Sequence, residues 1–163
     1  MGERCQDSAC LMTPHILESV MPTTTNPIRK DTQIRACIDA LAHALRAKDI
    51  NALMAHYAPD VVTFDLGAPL QVQGIDAYRK NFEAWFASLQ GPIDYEMRDL
   101  HITMNDDVAF CHSLSHVRGT RTTGEKADYW VRVTSGFRKM NGEWTVTHEH
   151  VSMPVDIQTM QAA

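Results

Sequence analysis

The sequence predicts an α+β fold, with helices first and a run of antiparallel strands after them, the helices laid on one face of a curved sheet. Three observations carry this. Apolar residues recur at helical spacing through the first half of the chain. β-rich runs fill the stretch from Ile93 to Ser152. Asn141-Gly142 separates two of those runs, Tyr129–Lys139 and Glu143–Ser152, and Asn-Gly is the strongest short hairpin signal.

Residues 1–30 mix polar, Pro and Thr residues without a period and read as a mobile extension, with one helical turn near His15–Val20. Residues 31–157 form the domain and 158–163 a tail. Asp31 or Thr32 can cap a first helix that buries Ile34, Cys37, Ile38, Leu41 and Leu45. Asp49 can cap a short second helix through Tyr57, which Pro59-Asp60 ends. Val61–Asp65 reads as a strand, Gly67-Ala68-Pro69 as a turn and Leu70–Val72 as a second short strand. Ile75–Leu89 follows as a helix with Tyr78, Phe82, Trp85 and Phe86 on its buried stripe, and Gly91-Pro92 stops it. The strands Ile93–Arg98 with Leu100–Met104, and Val108–Val117, lead into the hairpin, with turns at Asn105-Asp106 and Thr122-Thr123-Gly124.

A chain of 163 residues is one domain, long enough for a core. Its net charge of −5 is scattered, which leaves no nucleic-acid or membrane footprint. Cys5, Cys10, Cys37 and Cys111 show no CxxC spacing, so reduced thiols and a cytoplasmic location are expected. No apolar run reaches bilayer length, and no basic start with an apolar core marks a signal peptide. There is no phosphate loop, GxSxG or HExxH, and no metal or cofactor is expected.

The chemistry hangs on the final hairpin. An even loop puts Trp130, Arg132 and Thr134 on one face with Thr147, Glu149 and Val151. The other face then holds Val131, Val133, Phe137, Trp144, Val146, His148 and His150. A bulged loop would swap this pairing. Hydrophobicity alone turns the valines and Trp144 toward the helices and takes His148 and His150 into the pocket.

The order helix–helix–YAPDVVTFD–turn–Gly–helix–strands, closing on GEWTVTHEHVS, resembles the nuclear-transport-factor/ketosteroid-isomerase superfold, and within it the SnoaL-like proteins. The resemblance runs from Asp31 to Pro154, and the ending is also similar to the calcium/calmodulin-dependent kinase association domain. It implies a cone: a bent, mainly antiparallel sheet wrapped around three helices, with a pocket at the open end and a homodimer through the convex face. It also implies site residues. Asp65 falls where isomerases hold a general base, and Tyr57 where some hold a pocket tyrosine. The isomerase oxyanion donors fall on Leu41 and Thr134, which cannot act as that pair, so steroid isomerisation is not expected. Glu149 falls near the strand acid of polyketide cyclases, and His112 and His116 are candidates for the assisting histidine. The resemblance turns Trp130, Arg132, Thr134 and Glu149 inward, so Arg132 is expected to line the pocket and Trp144 is not.

The expected ligand site is therefore Tyr57, Phe82, Trp85, Trp130, Arg132, Thr134 and Thr147, with Asp65 and Glu149 as catalytic candidates and His112, His116, His148 and His150 in reserve. Each has a plainer reading: Asp65 as a turn cap, Arg132–Glu149 as a cross-strand ion pair, the final histidines as satisfied groups, and Phe82 and Trp85 as core. Three functions follow: proton transfer on an apolar carbonyl compound, capture of a small carboxylate by Arg132, or an oligomerising scaffold.

Overall fold

The computed structural model describes residues 27–159 and 161–162. The turn expected at His15–Val20 lies outside them. Helix α1 spans Pro27–Ala47, earlier than the cap at Asp31 or Thr32 suggested. Proline explains the shift, because at a first helical position its φ is already set and its missing N–H costs nothing. Ile34, Ile38, Ala42 and Ala44 form its buried stripe. Asp49 caps α2 (Ile50–Met54), its carboxylate accepting from the amides of Asn51 and Ala52 at 3.1 and 3.0 Å. α3 spans Ile75–Ala87 and starts from Gly74, whose φ of 88° lies in the left-handed region that favours glycine.

Six strands follow the order β2-β1-β6-β5-β4-β3: β1 (Tyr57–Phe64), β2 (Val72–Gln73), β3 (Leu89–Met104), β4 (Val108–Arg121), β5 (Lys126–Met140) and β6 (Glu143–Ser152). β1 runs parallel to β6 and every other neighbouring pair is antiparallel, so the sheet is mixed and open. The two strands expected before Asn105 are one long β3, bent by register shifts after Gln90 and after Arg98. A short β7–β8 pair (Val155–Asp156 and Gln161–Ala162) stands apart.

The sheet is bent around the helices as a cone. Its inner face shows in the burial alternation of β4, where Ala109, Cys111, Ser113, Ser115 and Val117 are buried and the residues between them are not. The core joins Ile34 and Ile38 of α1, Leu53 and Met54 of α2 and Tyr78 and Phe86 of α3 to Val61, Phe137, Trp144 and Val146 of the sheet.

Candidate active site

The hairpin decides the site, and its turn is the expected one: Met140 pairs with Glu143 across Asn141-Gly142, with φ of 53° and 89° at the two central residues. The register slips farther in. Phe137 pairs with Val146 but Gly136 pairs with His148, so Thr147 is an extra residue in β6. A bulge of this kind resets the alternation of the strand that carries it. Trp144 and Val146 before it, and Glu149 after it, are consequently all buried against the inner face. β5 has no such reset and presents Val131, Ser135 and Phe137 to the interior.

That geometry corrects several expectations. Arg132 and Thr134 are exposed on the outer face, whereas Trp144, buried in the core, stays out of the cavity lining as expected. Trp130 is on the outer face too, stacked on His116 with ring centroids 4.3 Å apart. His116 is held at 2.6 Å by Asp128, and His112 stacks on His101. His148 Nδ1 meets the Val62 carbonyl at 2.8 Å, and Phe64 packs its edge against His148 and His150. Thr147 spends its hydroxyl on the Gly136 carbonyl at 3.3 Å. None of these eight residues expected at the site, His112, His116, Trp130, Arg132, Thr134, Thr147, His148 and His150, lines the cavity. The Arg132–Glu149 ion pair therefore does not form, because the two side chains leave opposite faces of the sheet.

Glu149, Tyr57, Phe82, Trp85 and Asp65 do come together. They line a cavity of about 420 Å³ between the helices and the sheet. Its wall is mostly apolar, with Leu41, Leu45, Phe82, Trp85, Val131 and Phe137 among its residues. Among the described residues no Lys, Arg or His lines it. Tyr57, Tyr78, Phe82 and Trp85 form a chain of edge-to-face rings with centroids 5.3, 4.9 and 6.0 Å apart.

Glu149 is buried among three hydroxyl donors. Tyr78 donates to Oε1 at 2.7 Å, Ser135 to Oε2 at 3.1 Å, and Tyr57 lies 3.1 and 3.2 Å from the two oxygens. Burial pushes its carboxyl above the ordinary glutamate range, the hydroxyls pull it back, and the Asp65 carboxylate adds to the rise. Burial and then the charge of Glu149 push the phenols of Tyr57 and Tyr78 well above theirs, so both stay protonated as donors. Asp65 stands half-buried in the lining, with Oδ1 accepting from the Leu66 amide at 2.7 Å, which is the turn-capping role. Burial pushes the thiols of Cys37 and Cys111 up to about 11, too high for thiolate nucleophiles. Among the described residues no group of three or more His, Cys, Asp or Glu is placed to hold a metal ion.

Tyr78 and Ser135 were missed as site residues. Tyr78 read as one more member of a helical core stripe. Ser135 carried a usable signal, a lone hydroxyl at a core position between Val133 and Phe137.

The sequence profile of the SnoaL-like domain matches residues 34–156. A structure of an NTF2-like protein of unknown function from Pseudomonas putida is 32% identical, covers 83% of this chain and 94% of that one, and superposes with a TM-score of 0.76. A proposed dehydratase of the NTF2-like family from Streptomyces avermitilis shares the fold at 16% identity, covering 80% and 100%, with a TM-score of 0.71. The association domain of CaMKII from C. elegans does so at 17% identity, covering 77% and 97%, with a TM-score of 0.63. No curated protein matches the sequence. The profile match across most of the chain and the relative at 32% identity agree with the cone and its cavity: the chain belongs to the SnoaL-like family of NTF2-like proteins.

Proposed function

We propose that the protein is a small-molecule enzyme that moves a proton on an apolar carbonyl compound, with Glu149 as general base. The observation that carries this is a carboxyl buried in an apolar cavity and raised above its ordinary range. A base is most useful when its pKa lies near the working pH, and burial moves a carboxyl in that direction. Glu149 takes the proton from a carbon activated by the carbonyl, and the C–H electrons pass into the enolate. The protonated Glu149 then returns the proton to another carbon or to a departing hydroxyl, which gives isomerase or dehydratase chemistry. Tyr57, Tyr78 and Ser135 hold the carboxylate in place while it does so. Asp65, in the same lining and partly open to solvent, is suited to hand protons outward. The proposed dehydratase among the similar folds is in keeping with this chemistry.

A carboxylate ligand is the weaker reading, because the lining holds Glu149 and Asp65 and, among the described residues, no cation to balance an anion. We also propose a homodimer through the outer face of the sheet, where Phe64, Phe110 and Leu114 are 38%, 48% and 40% exposed. Beside it the association-domain fold supports an assembling surface, without replacing the cavity as the functional centre.

The test is exchange of the carbon-bound protons of β-tetralone with deuterated solvent, followed by proton NMR. The protein should accelerate exchange, and Glu149→Gln should remove roughly 10²–10⁴-fold of the rate, the usual range for one general base. Equal rates for parent and variant would refute Glu149 as the base.

A further inference from the structure

Most polar side chains in the cavity lining already have partners. Tyr57, Tyr78 and Ser135 point their hydroxyls at Glu149, and Cys111 lies within hydrogen-bond reach of Ser135. Asp65 holds the Leu66 amide, Tyr95 shares a hydrogen bond with Ser115 at 2.8 Å, and Tyr129 accepts from the indole of Trp85. Among the described residues of the lining, Asn81 of α3 and Ser113 of β4 stand outside this pairing. Asn81 is half-buried and also borders a second groove beside α3, so solvent reaches its carboxamide.

Ser113 differs in being shut away from bulk solvent. It is 6% exposed, it lines the cavity, and its hydroxyl meets no hydrogen-bond partner among the described residues. A buried hydroxyl left unpaired is costly, and folded chains rarely keep one without a use. A bulge in β3 sets its place. Arg98 pairs with Leu114 and His101 with His112, so Asp99 and Leu100 both stand opposite Ser113, and Asp99 takes a φ of 52°. The registers also fix where Ser113 stands relative to Glu149. Ser135 pairs with Glu149, and Ser113 pairs with Val133, one inward-facing step along β5 from Ser135. Ser113 and Glu149 are therefore two strands and one step apart, roughly 12 Å along the sheet. Contacts of about 3 Å at each end leave roughly 6 Å between them, the reach of two fused rings.

We infer that Ser113 is a specificity-determining residue whose hydroxyl forms a hydrogen bond with a hydroxyl on the substrate ring farther from Glu149. This rests on the proton-transfer reading and narrows its substrate class to an uncharged two-ring ketone that carries a phenolic hydroxyl. A serine hydroxyl both donates and accepts, and it rotates to suit, so it takes the phenol in either sense. A plain hydrocarbon ring leaves Ser113 unpaired, whereas the phenol satisfies it without bringing a charge into an apolar cavity. A site that hydrogen-bonds a substrate hydroxyl discriminates against the analogue lacking it for the same reason.

The test is calorimetric titration of β-tetralone beside the two forms of it hydroxylated at the outer positions of the aromatic ring. The parent protein should bind at least one of the two phenols roughly five- to tenfold more tightly than β-tetralone, the value of one net hydrogen bond. Ser113→Ala should bring that ratio to one or below. Each ratio compares two ligands on the same variant, so a general loss of packing cancels. Without ligand, Ser113→Ala should melt no lower than the parent, since it removes a buried group that has no partner. Glu149→Gln should keep the ratio while losing exchange, so this inference and the base assignment fail separately. If neither phenol gains, if the gain survives Ser113→Ala, or if that variant melts lower than the parent, Ser113 is not the anchor, whatever Glu149 does.

Discussion

Glu149 feels two opposed effects, burial that favours its neutral form and hydroxyl donors that favour its ionised form. Tyr78→Phe removes the donor at 2.7 Å, so the titration midpoint of Glu149 should move further up, and stability at neutral pH should fall by about 1–3 kcal/mol. Carbon NMR of labelled glutamate and urea unfolding read the two effects, and a midpoint that stays or falls would deny Tyr78 its role. The pH dependence of stability has a definite sign. Because the folded pKa is raised, the folded state holds the Glu149 proton more tightly than the unfolded chain does. Its stabilising contribution is complete below the unfolded value of roughly 4.3 and is lost as pH rises through the folded one. The parent should therefore lose stability relative to Glu149→Gln across that window and by no more above it. The lowered carboxyls Asp94, Glu96 and Asp156 work in the opposite direction, but they are common to both proteins and drop out of the difference.

Among the elements, the β5–β6 hairpin shows what a sequence can and cannot convey. Asn141-Gly142 was legible because few residue pairs accept two positive φ values in a row. Gly142→Ala meets no atom within 4 Å of the added carbon, yet faces a φ of 89°. It should cost about 1–2 kcal/mol of stability in thermal unfolding and leave β-tetralone binding unchanged. The inward set of β5 was legible as well, since Val131, Val133 and Phe137 alternate as a buried face should. Thr147 was not. The run Val146-Thr147-His148-Glu149-His150 alternates plausibly in either register, and nothing local marks one residue as extra. Hydrophobicity thus placed β5 correctly and turned His148 and His150 the wrong way, whereas the family resemblance placed Glu149 correctly and carried Arg132 to the wrong face.

At the scale of the molecule, the helices fill only part of the bent sheet, and the remainder is the cavity. The helix-then-strand order was enough to predict helices on one face of a curved sheet, and the family resemblance added the pocket. Which hydroxyls meet inside it was not legible, because Tyr57, Tyr78, Ser135 and Glu149 come from four separate elements and converge only through packing. The outer face makes its own prediction. If a second copy covers Phe64, Phe110 and Leu114, light scattering at micromolar concentration should give twice the chain mass of 18.3 kDa. Leu114→Glu should halve that mass, since a carboxylate there would be left unpaired in an apolar contact. A parent protein already at 18.3 kDa would remove the dimer.

The central claim is that a buried, proton-hungry Glu149 is the working group of the cavity, and its own titration tests this most directly. With carboxyl-labelled glutamate and Glu149→Gln to assign the signal, carbon NMR from acid to neutral pH should show one glutamate titrating above roughly 4.3, the ordinary value. That midpoint should coincide with the pH at which β-tetralone exchange reaches half its maximum. A Glu149 midpoint at or below the ordinary glutamate value would contradict the account.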